Sequence, residues 1–145
     1  MDKNTLYNRR PGIFTALSLR FNEALDKLRR MNFGSLIKQN LDNIAKQDPR
    51  LAAAVKGSGT TNPNFSVGMG TAADADRLGK IWVGDGARLL TDGKGLVSAD
   101  GTRVYRFPAY KPNTPQNLNP TGLQANFETL KDGKRVYNGH MGIIQ

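Results

Sequence analysis

Phe14, Leu17, Phe21, Leu25 and Leu28 recur at three- and four-residue intervals in PGIFTALSLRFNEALDKLRRM. That is the spacing of one buried face of an α-helix. Pro11 suits the first turn, and Arg29 and Arg30 suit the last, where cations meet the negative end of the helix dipole. Gly34 is expected to break this run. A second helix carries Leu36, Ile37, Leu41 and Ile44 and ends by Asp48–Pro49, because a residue before proline avoids helical geometry. RLAAAVK predicts a short third helix. GSGTTNPN, from Gly57 to Asn64, has the composition of a linker. Beyond it, Thr71 is placed to cap a further helix with Asp74 at the third helical position, a capping box, and the run enters the apolar IWV.

The last 60 residues change period. Asp92–Gly93, Asp100–Gly101 and Asp132–Gly133 each lie between short β-prone runs: ARLLT, GLVS, TRVYRF, ANFETL and KRVYN. Asp-Gly in that setting is the strongest local hairpin signal. The remaining glycines are read as turns. Pro108 to Gly122 is too rich in Pro and Asn for either element and reads as a long loop, of the kind that often carries function. The expected architecture is α+β: N-terminal helices, then a twisted antiparallel sheet of four to six strands. The expected organisation is a helical segment over 1–56, a linker over 57–66 and a functional domain over 67–145.

Charge sharpens the picture. The 145 residues carry a net charge of +9, with 11 Lys/Arg against 5 Asp/Glu in residues 1–56 and 10 against 7 in the remainder. The excess is spread along the chain and favours an anionic partner such as nucleic acid, a membrane surface or an acidic protein. There is no cysteine and one histidine, which excludes disulfide scaffolds, thiolate zinc sites, cysteine nucleophiles and multi-histidine metal sites. No apolar run is long enough to span a membrane and no signal-peptide pattern appears, so the chain reads as a cytosolic protein or an excised domain.

The candidate chemistry lies in the second half. Strand alternation in TRVYRF sends Arg103, Tyr105 and Phe107 to one face and Thr102, Val104 and Arg106 to the other. In QANFETL it groups Gln124, Asn126 and Glu128. Such a face of amides, carboxylate and cations fits a polar cleft, or else a plainly solvated sheet face. His140, in NGHMG, is expected at a strand edge; its unperturbed pKa lies closest to neutrality of any side chain, as acid–base catalysis requires. RNA supplies its own nucleophile, the 2′-hydroxyl, so one His, a second acid–base group and an Arg or Lys suffice without metal. DNA cleavage usually demands metal-activated water and clustered carboxylates, whereas three of the seven acidic residues after Gly57 sit in Asp-Gly turns. The expected catalytic set is therefore His140, Arg103, Lys111 and Tyr105, with no metal and no cofactor. Arg106, Tyr110, Asn126, Glu128 and Lys80 are the expected nucleic-acid contacts. Tyr105, Tyr110 and Trp82 can stack a base, although Trp82 and Phe107 fit a core better.

Residues 66–145, above all the blocks SADGTRVYRFPAYKPN, TGLQANFE and NGH, resemble the C-terminal toxin regions of contact-dependent growth inhibition effectors, which are very large filamentous-haemagglutinin-like bacterial surface proteins. The resemblance implies secretion within a cell-surface parent and action in the cytoplasm of a target bacterium. It implies a toxic enzyme, commonly a ribonuclease against tRNA, and an acidic cognate immunity protein; a host-cell activating factor is a further expected partner. It also implies a small ribonuclease fold of the barnase, EndoU, colicin or RelE kind. The competing readings are a non-catalytic RNA-binding module and a toxin with other chemistry, a DNase or an NAD-consuming enzyme.

Overall fold

The computed structural model describes residues 13–57 and 62–145, with residues 13–17 and 19 described by their backbone alone. Pro11 and the centre of the expected linker, residues 58–61, fall outside the described residues. The chain divides into two compact units between Asn40 and Leu41. It is an α+β fold: helices α1 (Ile13–Ala45) and α2 (Pro49–Lys56), strand β1 (Asn64–Thr71), helix α3 (Ala72–Val83), then β2 (Arg88–Leu89), β3 (Gly95–Val97), β4 (Arg103–Tyr110), β5 (Leu123–Lys131) and β6 (Lys134–Ile144).

Two expected helices are one. α1 passes through Gly34 without a break, since a helical glycine costs only about 1 kcal/mol relative to alanine. The expected buried face is also corrected: Phe21, Leu28, Leu36 and Ile37 are exposed, while Leu41 and Ile44 join the core of the second unit.

In that unit the three Asp-Gly pairs expected to form hairpins turn antiparallel neighbours: β2 to β3, β3 to β4 and β5 to β6. The six-stranded sheet has the order β1-β6-β5-β4-β3-β2. It is mixed, because β1 runs parallel to β6. The expected antiparallel sheet is thus extended at one edge by a parallel strand drawn partly from the stretch read as linker. NFSVGMGT was hard to read as a strand because it is short, Gly-rich and interrupted by a bulge at Ser66/Gly68.

α2 and α3 cover one face of the sheet. Leu51 and Ala54 from α2 and Ala75, Leu78 and Trp82 from α3 pack on Tyr105, Phe127, Met141 and Ile143. Thr71 and Asp74 form the expected capping box at the start of α3, which continues through IWV to Val83. Gly79 lies inside this helix, not in a turn: a methyl group there would collide with the Tyr105 ring. The ends of α2, β1 and α3 are joined by Arg50, which grips Asp48 through Nε and Nη2 (both 2.9 Å), donates to the Met69 carbonyl and lies 3.5 Å from Asp74.

Candidate functional site

The opposite face of the sheet carries the polar residues. Register sets Arg106, Asn126 and His140 side by side across β4, β5 and β6, and places Glu128, Asn138 and Asn64 in the next row. The alternation that buries Tyr105 and Phe127 under α3 turns this row the other way. His140 thus sits in the middle of an inner strand rather than at an edge, and is only 5% exposed.

β4 continues through Pro108 to Tyr110, with a register shift between Arg106 and Ala109 that accommodates the proline. The loop that follows starts at Lys111, three residues later than the sequence suggests. It borders an open cavity of about 750 Å³ lined by Lys111, Tyr110, Gln124, Asn64, Arg135 and His140 among others. Tyr110 is 67% exposed at its rim, where its hydroxyl accepts from Gln145 Nε2.

Inside, amides connect the charged groups. Lys111 Nζ donates to Asn126 Oδ1 (3.2 Å), as does Gln124 Nε2 (2.9 Å). Asn126 Nδ2 approaches Asn138 Oδ1 (2.9 Å) and His140 Nδ1 (3.3 Å). His140 Nε2 and Asn138 Nδ2 both reach Asn64 Oδ1, at 3.1 and 3.3 Å. Glu128 is buried and holds two cations, Arg106 (Nε at 3.4 Å) and Arg135 (Nη1 at 3.1 Å); Arg106 also reaches Asp92 at 3.2 Å.

These surroundings favour uncharged side chains at the centre. Burial lowers the His140 pKa, and the positive charges of Lys111 and Arg135 lower it further against the opposing pull of Glu128. The ring is therefore neutral at pH 7. Burial, then Arg106, likewise lowers the Lys111 pKa. Neutral imidazole, a cation of weakened proton affinity and two arginines suit a phosphate-bearing ligand.

His140, Lys111 and Tyr110 from the sequence-predicted set line this cavity. Asn126 is buried beneath it, bonded to Lys111 and beside His140, while Glu128 and Arg106 pair with each other on the same sheet face. Arg103 and Tyr105 do not lie on this face. Arg103 is buried on the α3 side, donating from Nε to the Trp82 carbonyl (2.7 Å) and lying 3.7 Å from Asp100. Tyr105 is core: it donates to Asp76 Oδ1 (2.7 Å), and burial raises its hydroxyl pKa. Lys80 belongs to α3 and lines a smaller cavity of about 420 Å³ with Asp76, Tyr105 and Phe107. Trp82 is core as well, donating to the Val104 carbonyl.

Three site residues escaped the sequence: Asn64, Asn138 and Arg135. Asn64 lay in the apparent linker. Arg135 was hidden by the bulge opposite Thr129/Leu130, which reverses the alternation counted back from His140. Among the described residues, no group of three or more His, Asp or Glu side chains is placed to hold a metal ion. Nor is any described helix long and apolar enough to cross a membrane. Comparison with known protein families, curated proteins and solved structures finds no match.

Proposed function

We propose that this chain is a metal-independent ribonuclease toxin of bacterial competition that cleaves tRNA and is held in check by an acidic immunity protein. The observation that carries the reading is the neutral His140 beside Lys111 and Arg135 in a cavity built on a basic chain. In the reaction, the ribose 2′-oxygen bonds to phosphorus as the bond to the 5′-oxygen breaks. The 2′-hydroxyl proton is lost and the leaving oxygen gains one, giving a 2′,3′-cyclic phosphate and a 5′-hydroxyl. Lys111 and Arg135, which line the cavity, neutralise the phosphate, and Arg106 adds positive potential from the same sheet face. Lys111, whose proton affinity is lowered by burial and by neighbouring cations, suits proton movement, and the neutral His140 beside it suits a hydrogen bond to the phosphate. The exposed Tyr110 ring offers a stacking surface for a base. Arg103 and Tyr105 take no part in this assignment.

The test is incubation of purified chain with total tRNA in EDTA, followed by end-group analysis. Fragments ending in cyclic phosphate support the reading. Intact RNA under every metal condition, with RNA bound, favours the non-catalytic binding module instead.

A further inference from the structure

Four amide side chains, Gln124, Asn126, Asn138 and Asn64, surround His140 in one connected hydrogen-bond chain. An amide can present its oxygen or its nitrogen, and a neutral imidazole can carry its proton on either nitrogen. Among themselves, these groups would be satisfied equally well with every dipole reversed. In that reversed arrangement Asn126 Oδ1 would accept from a protonated His140 Nδ1. Asn64 Nδ2 would donate to His140 Nε2, and Asn126 Nδ2 would face Gln124 Oε1.

Lys111 breaks the symmetry. Its ammonium is donor-only and touches Asn126 at 3.2 Å, so Asn126 must turn its oxygen to Lys111 and its nitrogen to His140 and Asn138. His140 Nδ1 must then accept, and Nε2 carries the proton to Asn64 Oδ1. The same polarity turns Gln124 Nε2 to Asn126 and leaves Gln124 Oε1 buried without a protein partner.

We propose that Lys111, acting through Asn126, is a positioning residue that holds the His140 imidazole as its Nε2–H tautomer, so that the ring offers the cavity a hydrogen-bond donor and not a basic lone pair. Asn64, the acceptor of that proton, itself lines the cavity. The tautomer stands on hydrogen bonding alone; its consequence for catalysis rests on the ribonuclease reading. There, a phosphoryl oxygen replaces Asn64 Oδ1 as the partner of Nε2–H. His140 then serves as a neutral electrophile on the phosphate. Lys111 keeps two N–H donors for the same group while one remains on Asn126.

His140 is the only histidine, so ring-nitrogen NMR of the ¹⁵N-labelled full chain in phosphate-free buffer reports this one imidazole. The expected wild-type spectrum has a pyrrole-like Nε2 and a pyridine-like Nδ1. Lys111→Arg, also a donor-only cation, keeps that pattern. Lys111→Met moves it toward exchange averaging or reversal. Asn126→Asp, which replaces the facing donor by an acceptor, reverses it to Nδ1–H and provides a second arm if Lys111→Met does not fold. A protonated Nδ1 in the wild-type chain, or a pattern that no folded variant changes, overturns the proposal. Because the readout is spectroscopic, it fails or succeeds separately from any RNA cleavage.

Discussion

Arg103 and Arg106 are three residues apart on one strand and do different work. Arg103 is buried beneath α3, where its guanidinium satisfies the Trp82 carbonyl; Arg106 lies on the opposite sheet face between Glu128 and Asp92. Removing a buried charged donor strands its partners. Arg103→Ala is therefore expected to lower unfolding stability by about 2 kcal/mol, read in urea melts. Arg106→Ala is expected to cost less than Arg103→Ala, since Arg106 is itself partly exposed and the buried Glu128 keeps Arg135, while weakening RNA binding. Equal stability losses in both variants would contradict this division. Alternation already separated these two arginines in the sequence, and it grouped Gln124, Asn126 and Glu128 correctly. It could not say which face the helices would cover, and so Arg103 and Tyr105 were read toward the site.

Among the elements, local turn and cap chemistry was the most legible. The three Asp-Gly hairpins and the Thr71–Asp74 capping box appear as read, because each is decided within a few residues. What escaped depends on distant partners: β1 exists only through its parallel pairing with β6, and the β6 bulge reverses the face of Arg135. Gly79 is a similar case, since its role is visible only once the Tyr105 ring lies against α3. Gly79→Ala raises helix propensity yet is expected to destabilise the fold by about 1–3 kcal/mol through overpacking, measured as a lower melting temperature. A higher melting temperature would mean that the ring moves aside freely.

The clasp joining α2, β1 and α3 sets an acid limit. Hydrogen bonding to Arg50 holds the Asp48 pKa at about 2, below the usual value of a free aspartate, and burial only partly opposes it. A carboxylate with a depressed folded-state pKa stabilises above its unfolded pKa and loses that contribution as pH falls toward the folded value. The contribution, up to about 2 kcal/mol, should thus disappear between about pH 4 and pH 2. Asp48→Asn is expected to lower stability at pH 7 and to flatten the acid limb of the stability curve over that window. An unchanged acid limb would remove Asp48 from the account.

At the scale of the whole molecule, helices on one face of the sheet free the other for a polar, cation-lined cavity, and the +9 net charge draws polyanions toward it. Binding of single-stranded RNA should weaken steeply with salt, and removing Arg135 or Lys111 should each reduce the slope of log K against log salt by roughly 0.7. The α+β class was readable from the change of hydrophobic period along the chain. Its mixed sheet and the company around His140 were not, because both follow from the packing of β6 between β5 and β1.

The central claim is that a neutral imidazole among cations cleaves RNA without metal. Its most direct measurement is a denaturing gel of tRNA incubated with wild-type chain and with His140→Ala, each in EDTA. The account predicts discrete fragments with the wild-type chain and at least a hundredfold slower cleavage with the variant. Fragments formed equally by both, or wild-type cleavage abolished by EDTA, would contradict it.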